Sequence, residues 1–108
     1  MKNKTGQPNS AAARDIAYHL HPTTNIKQHL ERGPLIISRG DGVHVFDIDG
    51  RSYIEGFAGL WCASLGFSEK RVIAAATAEM NRLPFYHGMF SRSHEASIDL
   101  AEKLITLA

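Results

Sequence analysis

Histidine side chains are the groups in this sequence most able to bind a metal ion. His19 and His21 stand one residue apart, next to Tyr18 and Leu20, and four further histidines are spread singly along the chain. Two histidines do not make a metal site by themselves, because zinc and similar ions need further ligands that converge in space. The neighbouring sequence identifies no such ligands, so we expect no metal site.

The single cysteine and the glycines could in principle serve a nucleophile or a phosphate-binding loop. A catalytic thiolate needs a partnered base, and no local signature of a cysteine enzyme surrounds Cys62. We expect Cys62 to be a small buried hydrophobic residue. The glycines at 56, 59 and 66 match neither the Walker loop nor the G-x-G-x-x-G pattern. The residues alone therefore identify no catalytic group and no cofactor-binding group.

The most unusual segment is residues 55–67, which joins those glycines to the only tryptophan, Trp61. Glycine permits positive φ and close backbone approach, and the remaining side chains are largely apolar. Two interpretations are open: the segment is the wall of a pocket, or it is a buried crossover in which Trp61 fills a core. Composition alone favours the buried crossover. The aromatic linker at 84–90 is also unusual for an exposed loop. Among the isolated histidines, only His87, which lies within this linker, is a candidate for a functional role.

Three β-prone runs lead into this segment. They cover residues 35–39, 43–47 and 51–55, and they are separated by Gly40-Asp41-Gly42 and by Asp49-Gly50. Asp-Gly between such runs favours a tight hairpin turn, because both central residues can adopt positive φ. We predict a three-stranded antiparallel meander.

Helices are predicted on both sides of the meander. A flexible lead-in over residues 1–13 gives way to a helix from Ala11 to Leu20, and a further helical turn covers residues 26–31. After the meander, Ser68 is expected to cap a helix over 69–83, and Ser93 to cap a helix with an apolar face and no stop signal before Ala108. The expected fold class is α+β.

Length, charge and cysteine content limit the possible functions. A chain of 108 residues with 44% hydrophobic content fits one small domain. The net charge is +1 and the basic residues form no stripe, which disfavours binding to nucleic acid or an anionic membrane. One cysteine excludes an internal disulfide, and no apolar run resembles a signal peptide or a membrane span. We expect a cytoplasmic protein.

A set of ordered motifs resembles the N-terminal part of class III aminotransferases, and within that class the ω-transaminases of the ω-amino acid:pyruvate type. The resemblance covers roughly residues 14–108. It is carried by His19-Leu20-His21-Pro22, Gly33-Pro34-Leu35, the string from Asp47 to Cys62, Leu65-Gly66-Phe67, Leu83-Pro84-Phe85-Tyr86-His87 and Ala101-Glu102-Lys103-Leu104. It favours the pocket-wall interpretation of the segment around Trp61.

The resemblance implies the N-terminal segment of a fold type I enzyme that uses pyridoxal 5′-phosphate (PLP). Such enzymes are homodimers that move an amino group from an amine or ω-amino acid to a keto acid such as pyruvate. Leu60 and Trp61 match positions of the substrate-pocket wall, while Met89 and Phe90 match a segment that usually presents aromatic residues to the partner subunit's pocket. The family often has an aromatic residue at the position of Thr23. The departures at Thr23 and Met89 bear on substrate preference.

The resemblance also implies that the cofactor is held elsewhere. Family members are several times longer, and their phosphate-binding loop, pyridine-stacking aromatic, ring-nitrogen Asp and Schiff-base Lys would all follow Ala108. The five lysines present lie in the predicted tail, in a turn or on polar helix faces: Lys2, Lys4, Lys27, Lys70 and Lys103. We expect these 108 residues alone to be inactive and to hold no PLP covalently.

Three hypotheses follow for what the chain does. The favoured one is the N-terminal piece of an ω-transaminase. The second is a non-catalytic interaction module that pairs with a full-length homologue through the aromatic linker. The third is an autonomous α+β domain with a structural function, which is least favoured because the linker and the last helix would leave a sizeable apolar patch on a monomer.

Overall fold

The computed structural model describes residues 7–108. Of the described residues, 7–68 belong to one compact unit and Glu69–Ala108 to a second. The elements in chain order are helix α1 (Ala11–Tyr18), helix α2 (Ile26–Arg32), strands β1 (Ile37–Asp41), β2 (His44–Asp47) and β3 (Ser52–Ile54), the short turn α3 (Ala58–Trp61), and helices α4 (Lys70–Arg82) and α5 (Glu95–Leu107). The predicted lead-in over 1–13 lies partly outside the described residues and stays a prediction.

The first two helices begin at polar side chains that cap free backbone N–H groups. The Ser10 hydroxyl accepts from the Ala13 N–H at 3.1 Å, and the Asn25 side chain accepts from the Gln28 N–H at 3.1 Å. Helix α1 ends at Tyr18, two residues before the predicted end at Leu20, because His19 already has extended φ and ψ.

The predicted three-stranded antiparallel meander is confirmed, with strand order β1-β2-β3. Among the described residues the buried ones are Val45 and Asp47, at 7% and 4% exposure, both on strand β2. The helices and this sheet together confirm the α+β fold class. The best-buried side chains belong to the central strand.

Both predicted hairpin turns differ in detail from the structure. Gly40 was assigned to the first turn, but it lies inside β1, where a Cβ atom would approach the Phe67 side chain to 2.6 Å. The turn itself is the two residues after Asp41. The second connection is a four-residue loop, residues 48–51, in which Gly50 has φ +80° and Asp49 does not have positive φ. Its Asp47 N–H donates to the Arg51 carbonyl at 3.0 Å, so Asp-Gly closes a longer loop than predicted.

The second unit consists of α4, α5 and the linker between them. The predicted caps are wrong at both helices: Glu69 caps α4 by accepting from the Arg71 N–H at 3.0 Å, and His94 precedes α5 without a side-chain capping bond. Ser68 is not the cap because its hydroxyl accepts a hydrogen bond from the first unit's hairpin. The apolar faces of both helices are exposed. None of the helices in residues 7–108 is long and apolar enough to cross a membrane.

Candidate functional site

The glycine- and tryptophan-containing segment, residues 55–67, is closed at both ends by the turn between β1 and β2. At its start, the Glu55 N–H donates to the Val43 carbonyl at 2.9 Å. At its end, the Phe67 N–H donates to the Gly42 carbonyl, also at 2.9 Å. Because these two carbonyls belong to adjacent residues, the sheet holds both ends of the segment together and projects its middle outward.

Close backbone contact fixes the end of the segment. Gly66 has φ +84°, and a Cβ atom there would lie 2.7 Å from the Gly42 carbonyl oxygen. The Gly42 N–H donates to the Ser68 hydroxyl at 2.9 Å. Only glycine fits position 66, because any side chain would strain the backbone and push this position away from Gly42.

The middle of the segment is a left-handed turn. Ala58, Gly59, Leu60 and Trp61 have φ values of +48°, +60°, +62° and +69° in succession. Each non-glycine residue in this conformation costs about 1–2 kcal/mol. The turn is held by hydrogen bonds from the Trp61 N–H to the Phe57 carbonyl at 2.9 Å and from the Cys62 N–H to the Ala58 carbonyl at 3.0 Å. Strained backbone that a surrounding structure maintains is a recognised mark of functional sites.

Two large apolar side chains extend from this turn. Leu60 is 60% exposed and Trp61 is 80% exposed. The buried-crossover interpretation is therefore wrong for these 108 residues, because Trp61 fills no core here. A rigid turn that holds two apolar side chains outward can form one wall of an apolar binding site.

Cys62 is also exposed, which corrects the expectation of a buried hydrophobic residue. Its thiol donates to the Leu60 carbonyl oxygen at 3.4 Å. The left-handed turn places Cys62 on the outside of the segment, so packing does not determine its position.

The other predicted site residues lie in separate turns. Thr23, with φ +52°, is exposed between α1 and α2. Met89 and Phe90 lie together in the linker of the second unit, where Phe90 has φ +56° and is 78% exposed. The structure thus joins Leu60 to Trp61 and Met89 to Phe90, and leaves Thr23 in a turn of its own.

Backbone conformation connects these positions in a way that the sequence did not predict. Seven non-glycine residues in the described part of the chain have positive φ, and four of them are predicted substrate-binding residues. They are Thr23, Leu60, Trp61 and Phe90. Ala58, which starts the left-handed turn, could not be predicted from the sequence, because alanine carries no side-chain signal for that conformation.

A hydrogen-bond network around the Asp47 carboxylate stabilises the β2–β3 hairpin. Asp47 accepts hydrogen bonds from the N–H groups of Asp49 and Arg51 and from the Tyr53 hydroxyl, each at 2.9 Å. Burial raises the pKa of the Asp47 carboxyl, but these bonds and the charge of Arg51 outweigh burial and lower the pKa below its ordinary value. The same bond to Asp47 raises the pKa of the Tyr53 hydroxyl.

Comparison with known proteins gives consistent matches over most of the chain. The family model described as aminotransferase class-III matches residues 26–108. The chain is 44% identical over 88 residues to the mitochondrial gamma-aminobutyrate transaminase 1 of Oryza sativa subsp. japonica, covering 82% of this chain and 17% of that protein.

Two solved structures extend the comparison. The omega transaminase of Pseudomonas jessenii in complex with PMP is 56% identical with a TM-score of 0.87, over 92% of this chain and 22% of that one. A thermostable omega transaminase variant with a tryptophan replaced by glycine, engineered for asymmetric synthesis of enantiopure bulky amines, is 55% identical with a TM-score of 0.87 and the same coverage. The chain spans about a fifth of the length of the relatives that it matches.

Proposed function

Because the chain belongs to the class III aminotransferase family, we propose that it supplies a wall of the substrate pocket in a PLP-dependent ω-transaminase. The complete enzyme would transfer an amino group from an amine or an ω-amino acid to a keto acid such as pyruvate. The observation that carries this proposal is the left-handed turn at Ala58–Trp61, which holds Leu60 and Trp61 outward from a hairpin-anchored segment.

In this proposal Trp61 sets the size of the substrate side chain that the pocket accepts. Its indole is a large, planar surface, and the two anchored ends of the segment fix the position of the backbone that carries it. The related tryptophan-to-glycine variant, engineered for bulky amines, supports this role. Trp61 is the only tryptophan in this chain, and its equivalence to the replaced tryptophan is part of the proposal.

The residues present do not fit the covalent attachment of PLP. Lys27, Lys70 and Lys103 are all exposed on helices, where no apolar surroundings activate an amine for imine formation. Lys2 and Lys4 lie outside the described residues. We therefore assign binding and orientation of the amine substrate to this chain, and cofactor attachment to residues beyond these 108.

We further propose that the complete enzyme is a homodimer located in the cytoplasm. The exposed side chains of Met89 and Phe90 are suited to a subunit interface, where apolar and aromatic residues are enriched. The chain has 12 basic residues, 11 acidic residues and a single cysteine. This composition is consistent with a cytoplasmic protein. Gel filtration of the native protein and fractionation of its source cells test these two statements.

The experiment that tests the main proposal is an amino-transfer assay on the protein as its source makes it. The purified protein is supplied with PLP, pyruvate and either an ω-amino acid or an aromatic primary amine, and alanine is measured. We expect alanine only when both PLP and the amine are present. A folded protein that forms no alanine with any donor, but binds a full-length homologue in a mixing experiment, would instead support the interaction-module hypothesis.

A further inference from the structure

Three histidines surround one carboxylate where α1 approaches α2. Asp15 lies on α1, His19 and His21 follow the end of α1, and His29 lies on α2. The His21 Nε2 atom is 2.9 Å and 3.0 Å from the two Asp15 carboxylate oxygens, and the His19 Nδ1 atom is 3.2 Å from Oδ2. The Asp15 side chain is only 16% exposed. Residues distant in sequence thus place their polar atoms around one largely buried carboxylate, while the His19 side chain is itself 66% exposed.

The spacing of these atoms suits a small divalent ion. One ligand atom each from Asp15, His19 and His21 lies within 4.8 Å of the others. Zinc bonds of about 2.0–2.2 Å in tetrahedral geometry place neighbouring ligand atoms about 3.3 Å apart. The observed nitrogen–oxygen distances of 2.9–3.2 Å need only small outward movements to reach that value.

His29 provides an independent observation at the same place. Its side chain is 10% exposed, and its Nε2 atom lies 3.2 Å from the Asp15 Oδ1 atom. That nitrogen is buried and yet makes no hydrogen bond with acceptable geometry. Because a buried polar atom without a hydrogen bond is unfavourable, this nitrogen needs a polar partner that the surrounding residues do not supply.

The imidazole rings are packed against each other as well as against Asp15. The ring centroids of His19 and His21 are 4.3 Å apart, and those of His21 and His29 are 4.5 Å apart. One carboxylate cannot neutralise three protonated imidazoles, whereas neutral imidazoles offer lone pairs to a cation.

We propose that Asp15, His19 and His21 bind one divalent transition-metal ion of the zinc class, and that His29 supports the Asp15 carboxylate electrostatically from 3.2 Å away. Two histidines and one carboxylate are a ligand set that such ions accept, with water completing the coordination. A metal here would join α1 to the chain that follows its end. It would also fix the turn that carries Thr23, which lies two residues after His21.

The test measures metal binding directly and needs neither PLP nor amine, so it is independent of the proposed function. The untagged native protein is stripped with a chelator and titrated with Zn²⁺ against a chromophoric competitor, and Co²⁺ binding is followed by visible absorption. We expect one ion per chain and a Co²⁺ spectrum of four-coordinate type. Failure to bind either ion stoichiometrically would overturn the proposal.

Variants distinguish a metal site from a hydrogen-bonded cluster. His21→Gln and Asp15→Asn should each weaken Zn²⁺ binding at least about 100-fold, and His29→Gln about 10–100-fold. The matched control His44→Gln, at an exposed position on β2, should bind as the wild type does. Asp15→Asn keeps the shape of the side chain and removes its charge, so it guards against a folding defect in His21→Gln. Unchanged affinity in both Asp15→Asn and His21→Gln would contradict the assignment.

Discussion

Asp47 is the residue whose chemistry most clearly links sequence to stability in the first unit. Its carboxylate is buried and accepts three hydrogen bonds that hold the loop between β2 and β3. These bonds favour the ionised form, which accepts hydrogen bonds more strongly than the protonated form. Its pKa in the folded state is therefore below the ordinary value of 3.8, which the unfolded chain is expected to show.

This shift predicts a specific dependence of stability on pH. A group whose pKa is lowered by folding contributes stability above its unfolded pKa, and this contribution is lost as the pH falls through the folded pKa. Between about pH 6 and about pH 3, the melting temperature of the wild-type protein should fall more than that of Asp47→Asn, which has no carboxylate to protonate. Thermal unfolding followed by circular dichroism over this range measures the difference.

An exposed aspartate provides the control. Asp99→Asn, on the surface of α5, should keep the wild-type dependence on pH, because its side chain makes no comparable set of bonds among the described residues. If Asp47→Asn and the wild type lose stability in parallel as the pH falls, the bonds to Asp47 do not stabilise the hairpin as described.

The anchored segment, residues 55–67, is the element on which the proposed site depends. Gly66→Ala would add a Cβ atom 2.7 Å from the Gly42 carbonyl oxygen at a φ of +84°. We expect a loss of at least about 2 kcal/mol in the free energy of unfolding, from backbone strain and overlap together. Chemical denaturation of the complete protein measures this loss.

Gly56→Ala is the matched control for that change. Gly56 lies in the same segment, but a Cβ atom there has nothing within 4 Å and its φ is not positive. Its effect should stay within about 0.5 kcal/mol. Equal effects of the two substitutions would mean that the segment is not anchored through Gly66.

Local patterns predicted the elements better than they predicted the contacts between them. The meander followed from β-prone runs and turn residues, which are properties of neighbouring residues. Gly40 was assigned to a turn because the reason for its glycine, the side chain of Phe67, is distant in sequence. Ser68 was assigned as a helix cap for the same reason, since its hydroxyl accepts from Gly42. Both errors arise from tertiary contacts that override local preference.

At the candidate site, too, local sequence patterns did not predict the features that depend on tertiary contacts. Leu60, Trp61, Met89, Phe90 and Thr23 were chosen by family resemblance, and their roles remain predictions. No periodicity indicated that four of them have positive φ, because that conformation is imposed by the anchored ends and turns around them. The grouping of Asp15 with three histidines was also missed, since it requires two helices to converge. An Asp and a His four residues apart, Asp15 and His19, were the one available signal.

Considered as a whole molecule, the 108-residue chain exposes apolar surface on both of its long helices and in the linker between them. Isolated soluble domains seldom do so without a partner. The chain also spans about a fifth of the length of its relatives. Both facts agree with a role in which these residues build part of a larger enzyme.

This view predicts the behaviour of the 108 residues made as a separate polypeptide. When this short polypeptide is incubated with PLP and reduced with borohydride, mass spectrometry should show no stoichiometric pyridoxyl adduct. The reason is that its described lysines are exposed and their amines are not activated. The complete protein, treated in parallel, should carry one adduct per chain. A single modified lysine at full occupancy in the short polypeptide would show that cofactor attachment was assigned to the wrong residues.

The central claim, that Trp61 limits the size of the amine substrate, is tested most directly by the selectivity of Trp61→Gly in the complete protein. The measurement is the ratio of kcat/KM for a bulky aromatic amine to that for a small aliphatic amine. We predict that the ratio rises at least about tenfold, as expected when an apolar pocket gains the volume of a large side chain. A folded, active Trp61→Gly enzyme with the wild-type ratio would contradict the account.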